Sequence, residues 1–257
     1  MYISTEVSNS VAIITLNRPE KFNSFIREMS LELQEAFKAA GADENVRAIL
    51  LTANGKAFCA GQDLSEAIDP AGPGITRIVE EHYNPIILLM REMEKPIVVA
   101  VNGVAAGAGA NIALAGDLVL AGRGASFIQA FSKIGLIPDS GGTFILPRLI
   151  GWQRAAALMM TGEKVAAEAA EQMGMIYKAV DDDQLLKEAI HLSEQLAQLP
   201  TRGLGLTKRL LNESAANSLS QQLQREAVIQ TEAGATADHK EGVKAFLEKR
   251  KPVFTGR

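Results

Sequence analysis

Residues 96–115, PIVVAVNGVAAGAGANIALA, decide the fold of this protein. The apolar, β-branched run at 96–101 predicts a buried strand. A glycine-rich segment at 102–110 follows it directly, and residues 111–115 then show the pattern of a helix. Glycines between a strand and a helix allow close backbone approach and unusual φ angles. This succession is typical of a layered α/β protein.

Three other runs of β-forming residues in the first half of the chain also predict buried strands. They are 11–16, 48–52 and 118–121. Between the first two runs, a hydrophobic residue at every fourth position from Phe25 to Phe37 predicts a helix that ends near Gly41. Strand and helix therefore alternate, which supports the α/β fold class.

The second half of the chain is predicted to be helical, because strand patterns nearly vanish after Gly135. The predicted helices span 153–161, 165–173, 186–196, 201–216, 218–234 and 238–250. Pro200 would end the third of these helices. Residues 69–75, rich in proline and glycine, predict a loop. The following Glu80, Glu81 and His82 are typical of a solvated helical face.

Composition excludes several classes of protein. A net charge of -4 offers no general basic surface for nucleic acid or an anionic membrane. Cys59 is the single cysteine, which rules out an internal disulfide and favours a reducing compartment. The three histidines lack a second ligand at helical spacing, so we expect no metal site. Neither a signal-peptide pattern nor a membrane-length apolar run is present, so we expect a cytoplasmic protein.

Two glycine-containing segments, KAFCAGQDL at 56–64 and NGVAAGAGAN at 102–111, directly follow predicted strands. The second leads into a helix, whose first turn presents free N–H groups. Together the two segments could form an oxyanion hole, although tight turns alone would also explain the glycines. A dinucleotide-binding loop is excluded, because Ile112 stands where that fingerprint requires a third glycine.

Asp139, in the segment IGLIPDSGGT at 134–143, is a candidate general acid and base. It is the only carboxylate between Asp117 and Glu163, and its sequence neighbours are strongly apolar. Such surroundings should raise its pKa, as acid/base catalysis requires. The alternative is that Asp139 caps the following helix. The DSGG tetrapeptide also occurs in chymotrypsin-like proteases, but no histidine here has a protease-like context, so we reject that reading.

Taken together, these segments resemble the crotonase (enoyl-CoA hydratase/isomerase) family along nearly the whole chain. The matching stretches are NRPEKFN at 17–23, FCAGQDL at 58–64, KPIVVAVNG at 95–103, GAGAN at 107–111, GLIPDSGGT at 135–143, TGEK at 161–164 continuing to GMI at 174–176, and EGVKAFLEKRKPVF at 241–254. The resemblance implies an α/β spiral of repeated ββα units over residues 1–195. It also implies a C-terminal helical region, 196–257, that mediates assembly into a homotrimer or a dimer of trimers.

The resemblance also implies an acyl-CoA thioester substrate, with coenzyme A as part of the substrate and no separate cofactor. The main-chain N–H groups of Gln62 and Ala108 would hold the thioester oxygen. Further expected substrate-binding positions are Lys21, Phe22, Ala60, Asp63, Leu64, Asn111, Phe131 and Lys249. Lys249 belongs to a cluster of four basic residues in 246–257, for which the alternatives are binding of a phosphate-bearing ligand and solvated charge at a helix end.

Departures from the family's hydratase pattern indicate the reaction. Asn111 and Phe131 stand where hydratases have two glutamates that handle water, and neither can act as a carboxylate base. Asp139 stands where hydratases usually have glycine, as in isomerase members whose aspartate shuttles a proton. We therefore expect an acyl-CoA isomerase that acts through a thioester enolate, on a ring epoxide or a Δ3 double bond. The alternatives are a hydratase that uses Asp139 alone and a non-catalytic acyl-CoA-binding protein.

Overall fold

The computed structural model describes the whole chain, from Met1 to Arg257, and contains two β-sheets built from ten strands. The strands are β1 (Ile3–Ser8), β2 (Val11–Leu16), β3 (Ala48–Ala53), β4 (Ala57–Cys59), β5 (Ile97–Val101), β6 (Val104–Ala106), β7 (Leu118–Gly122), β8 (Ser126–Ile128), β9 (Lys164–Ala166) and β10 (Lys178–Val180). One sheet has the order β1-β2-β3-β5-β7-β10, and the other has the order β4-β6-β8-β9.

From β3 to β8, consecutive strands alternate between the two sheets, which gives this part of the chain the form of a spiral. β3, β5 and β7 are parallel neighbours in the six-stranded sheet, while β4, β6 and β8 are parallel neighbours in the four-stranded sheet. Each turn of the spiral therefore adds one strand to each sheet. The predicted α/β spiral of ββα units is confirmed.

Both faces of the six-stranded sheet are buried at its central strands, which explains why these strands are continuous apolar runs. Leu51, Val99 and Val119 stand side by side in register and belong to the larger hydrophobic core. Alternate residues such as Leu50 and Val98 point to the opposite face and belong to a second, smaller cluster. The strands thus form a rigid platform for the segments that leave their carboxyl ends.

Twelve α-helices surround the sheets, and a π-helical segment joins the third to the fourth. The helices are α1 (Arg27–Ala42), α2 (Leu64–Ala67), α3 (Gly74–Arg77), α4 (Asn84–Glu92), α5 (Ala108–Leu114), α6 (Gly142–Ile150), α7 (Trp152–Thr161), α8 (Ala167–Gln172), α9 (Leu185–Ala197), α10 (Thr201–Ser214), α11 (Leu219–Gly234) and α12 (Ala237–Leu247); the π-helix is Ile78–Tyr83. No helix is both long and apolar enough to cross a membrane.

Several sequence-based boundaries need correction. Residues 164–166 form β9 rather than the start of a helix, so the helix predicted at 165–173 begins only at Ala167. The helix α6 was expected only in the alternative in which Asp139 caps a following helix, and its bounds were not predicted, because its glycine start and internal Pro147 weaken the helical pattern. Six strands were also missed. Five have only three residues, and so short a segment shows no periodicity. The sixth, β1, is longer but largely polar and exposed.

The C-terminal helices are tied back to the sheet by buried or half-buried polar groups. Lys208 on α10 is buried and lies 2.7 Å from Asp117, which precedes β7. Arg47 donates to Thr201 Oγ1 at 2.9 Å and to the carbonyl of Phe254 at 2.8 Å. These contacts fix where residues 196–257 begin and end on the core. The role of that region in oligomer formation stays a prediction.

Candidate active site

A cavity of about 400 Å³ lies where the segments after β4 and β6 meet the start of α6. Gln62, Ala108 and Asp139, which are far apart in sequence, all line it. Twelve of its seventeen lining residues are hydrophobic, so a ligand that fills it is largely withdrawn from water. The three residues predicted to carry the chemistry therefore share one apolar cavity.

The N–H of Gln62 is a free hydrogen-bond donor because of the way its segment pairs with Phe25. Phe25 donates its N–H to the carbonyl of Gly61 at 2.7 Å and accepts from the N–H of Asp63 at 2.8 Å. In a parallel bridge of this kind the central residue's own N–H points away from its partner. No protein acceptor bonds the N–H of Gln62.

The N–H of Ala108 is free for a different reason. Ala108 is the first residue of α5, and the N–H groups of a first helical turn have no acceptor within the helix. Gly107, just before it, has φ 54° and ψ -128°, a conformation that only glycine adopts readily. A Cβ atom on Gly61 would lie 3.7 Å from the nitrogen of Ala108, so the Gln62 and Ala108 segments run side by side.

Gly109 allows this close approach. A Cβ atom there would lie 2.5 Å from the carbonyl oxygen of Cys59 and 2.6 Å from its Sγ. Only glycine therefore lets the first turn of α5 pack against the end of β4. Cys59 itself is fully buried, and burial raises the pKa of its thiol to about 12. It acts as a packing residue rather than a nucleophile.

Asp139 is half-buried in the cavity wall, and burial raises the pKa of its carboxyl group above the usual range. The hydroxyl of Ser140 donates to its Oδ1 at 2.8 Å, which opposes the shift in part. The capping alternative does not hold, because Gly141 occupies the N-cap position of α6 and no side chain caps that helix. The carboxyl group is thus left available to a ligand.

Asn111 lies behind Asp139 rather than on the cavity wall. It is 1% exposed, and its Nδ2 donates to the main-chain carbonyl of Asp139 at 2.8 Å. Its Oδ1 accepts from Gln129 Nε2, also at 2.8 Å. A Cβ atom on Gly142 would lie 2.3 Å from Asn111 Nδ2, so the start of α6 packs closely against this amide and leaves no room for a side chain at residue 142. Asn111 therefore holds the backbone that carries Asp139.

The other predicted binding residues divide into two groups. Ala60, Leu64 and Phe131 line the cavity. Four others do not line the cavity: Lys21, Phe22, Asp63 and Lys249. Phe22 reaches the site only through its main chain, which accepts a hydrogen bond from the N–H of Ala60 at 3.0 Å.

Asp63 and Lys249 have other surroundings. Asp63 caps α2 and forms an ion pair with Arg18 at 2.8 Å. Burial acts to raise the pKa of its carboxyl group, but the hydrogen bonds from Arg18 and Ser65 outweigh this effect, so the pKa is lowered. Asp63 therefore stabilises the loop after Gln62. Lys249 lies in the segment after α12, where its N–H donates to the carbonyl of Phe246.

Residues of α3 and the π-helix form a further wall of the cavity, and the sequence did not identify them individually. Ile75, Ile78, Val79 and Tyr83 line the cavity. The expectation of a solvated face at 80–82 was wrong for His82, which is completely buried. His82 lies four residues after the buried Ile78 and four before the buried Ile86, so it belongs to a buried helical face that its charged neighbours Glu80 and Glu81 concealed in the sequence.

This arrangement suits one kind of chemistry. Two free main-chain N–H groups at one side of an apolar cavity stabilise an oxyanion. A carboxyl group with a raised pKa in the same cavity can take up and return a proton. Asp139 is the only carboxylate among the lining residues. The site can therefore abstract a proton next to a carbonyl group and stabilise the resulting enolate.

Comparisons with known proteins point the same way. The family model described as enoyl-CoA hydratase/isomerase matches residues 6–257. The 1,2-epoxyphenylacetyl-CoA isomerase of Escherichia coli is 48% identical over 100% of this chain and 99% of its own. The trans-2-decenoyl-[acyl-carrier-protein] isomerase of Streptococcus mutans is 38% identical over 98% of this chain and 97% of its own. A crystal structure of enoyl-CoA hydratase from Bacillus anthracis superposes with a TM-score of 0.93 at 32% identity, covering 100% of both chains.

Proposed function

Because the chain belongs to the enoyl-CoA hydratase/isomerase family, we propose that this enzyme is an acyl-CoA isomerase that acts through a thioester enolate. One observation carries the choice of isomerisation over hydration: the cavity wall contains a single carboxylate, Asp139. The glutamates that handle water in hydratases are replaced by Asn111, behind the wall, and by the apolar Phe131. A single base serves both proton transfers of an isomerisation, since the proton returns to the same molecule.

In the proposed mechanism, the thioester oxygen accepts hydrogen bonds from the N–H groups of Gln62 and Ala108. Asp139 removes the proton next to the carbonyl, which leaves a dienolate whose negative charge is centred on that oxygen. Asp139 then returns the proton to another carbon on the same face. Losing one oxyanion donor typically costs about 100- to 1,000-fold in rate. Losing a general acid/base typically costs about 100- to 10,000-fold.

The proposed substrates are 1,2-epoxyphenylacetyl-CoA and Δ3-enoyl-CoA thioesters. The first is supported by the E. coli relative, which is named for that compound. The apolar cavity suits either acyl group, and coenzyme A, as part of the substrate, makes a separate cofactor unnecessary. We further propose a cytoplasmic homotrimer or dimer of trimers. Exposed apolar side chains on the C-terminal helices, such as Leu211, Leu223 and Phe246, support an assembly.

The test is mass-spectrometric product analysis with epoxyaryl-, Δ3-enoyl- and Δ2-enoyl-CoA thioesters. We expect isomers of unchanged mass from the first, the second or both. A product heavier by one water from the Δ2-enoyl thioester, with loss of its conjugated absorbance, would instead support the hydratase. Binding without turnover and without deuterium uptake at the α or γ carbon in D2O would support a non-catalytic acyl-CoA-binding protein.

A further inference from the structure

Tyr83 occupies an unusual position in the cavity wall. It is the last residue of the π-helix Ile78–Tyr83, and only 1% of its surface is exposed. A π turn bonds residues five apart, so Ile78 and Tyr83 face the same side, and both line the cavity. π turns within helices recur at functional sites. The π-helix thus places the side chain of Tyr83 against the segment that contains Gln62.

The hydroxyl of Tyr83 holds the side chain of Gln62. It donates to Gln62 Oε1 at 2.7 Å, while Gln62 Nε2 donates to Glu66 Oε2, also at 2.7 Å. Glu66 is fixed in turn, because its Oε1 accepts the N–H of Arg27 at 2.9 Å. The amide of Gln62 is therefore bonded at both of its ends. This anchoring restricts the backbone orientation of Gln62 and, with it, the direction of the N–H on the same residue.

Tyr83 also supports the other side of the same peptide group. The Gly61–Gln62 peptide carries the oxyanion N–H on one side and the carbonyl of Gly61 on the other. That carbonyl is held by the N–H of Phe25 at 2.7 Å, and the ring of Tyr83 packs edge-on against the ring of Phe25 at 5.8 Å. Gly61, with φ 93°, places little steric restraint of its own on this peptide. Orientation must come from these neighbours.

From these contacts we infer that Tyr83 is a positioning residue for the oxyanion hole. It orients the Gly61–Gln62 peptide through the Gln62 side chain and through Phe25, so that the Gln62 N–H points at the developing enolate oxygen. This role rests on the proposed function. Burial raises the pKa of the Tyr83 hydroxyl well above its usual value, so the group keeps its proton throughout the neutral pH range.

The test compares Tyr83→Phe with wild type in steady-state isomerisation. Only the hydroxyl is removed, so the ring still packs against Phe25. We expect kcat to fall about 5- to 30-fold, less than the roughly 100-fold or more that follows loss of an oxyanion donor, with KM within about twofold. Gln62→Met keeps the main-chain N–H and removes the acceptor. It should lower kcat similarly, and the double variant should be no slower than either single one.

Tyr177→Phe is the matched control, because Tyr177 is 58% exposed and lies outside the cavity; it should behave as wild type. A kcat for Tyr83→Phe within twofold of wild type would overturn the inference, as would single effects that multiply in the double variant. A second readout is the enolate absorbance of bound acetoacetyl-CoA, which should weaken in Tyr83→Phe. Since this signal needs the two N–H groups but no turnover, it tests Tyr83 even if wild type isomerises nothing.

Discussion

Gly109→Ala should disable the site while leaving the fold in place. The new Cβ atom would start 2.5 Å from the carbonyl oxygen of Cys59, whereas ordinary contact begins at 3.4 Å. Relief requires a displacement of roughly 0.9 Å, the difference between those distances, in the first turn of α5. A misplacement of about 1 Å in a catalytic arrangement costs about 100-fold in rate. Overpacking a buried site costs about 1 to 3 kcal/mol in the free energy of unfolding.

The assay is the isomerisation kcat, together with urea unfolding of the same preparations. Gly203→Ala on α10 is the control, since its Cβ atom would meet only the Pro200 side chain at 3.7 Å. Replacing this helical glycine should leave kcat unchanged and stabilise the protein by about 0.5 to 1 kcal/mol. A folded Gly109→Ala protein with a kcat within threefold of wild type would refute the assignment of the Ala108 N–H to the oxyanion hole.

Three further outcomes follow from buried groups. Cys59, with a pKa of about 12, should resist a thiol reagent such as DTNB in the folded protein and react fully in guanidinium chloride; rapid labelling of the native protein would contradict its burial. Burial lowers the pKa of His82 below 6.5, so the free energy of unfolding should decrease as the pH falls through and below 6.5. His82→Gln should reduce this pH dependence of stability, whereas replacing the exposed His191 by Gln should leave it unchanged. The raised pKa of Asp139 means that its ionised form destabilises the fold. Asp139→Asn should therefore unfold at a higher denaturant concentration than wild type at pH 7, and this gain should vanish at acidic pH, where the wild-type carboxyl is protonated. An equal gain at both pH values would contradict this explanation.

The sequence was sufficient for the elements whose pattern is local. β5 and the later part of α5 were predicted within residues 96–115, because apolar runs and glycine positions are visible without tertiary information. The helix was expected from residue 111, whereas it begins at Ala108. The same holds for Met29, Leu33 and Phe37 on the buried face of α1. The three-residue strands could not be predicted, since their pairing across the spiral defines them.

The sequence indicated the chemical groups of the candidate site but not the contacts that hold them in place. The raised pKa of Asp139 was expected from its apolar neighbours, and burial does raise it. Nothing in the sequence showed that Asn111 holds the main chain of Asp139, or that Phe25 leaves the Gln62 N–H free. These are contacts between residues 28 and 37 positions apart. The role of Tyr83 was missed because its hydroxyl bonds Gln62, 21 positions earlier in the sequence.

The most direct measurement is the rate at which Asp139→Asn converts a Δ3-enoyl-CoA into its conjugated Δ2 isomer, with the thioester dissociation constant measured on the same preparation. If Asp139 is the base, kcat falls by about 100- to 10,000-fold and the dissociation constant stays within about threefold of wild type. Near-normal turnover by this variant would contradict the assignment of Asp139 as the base.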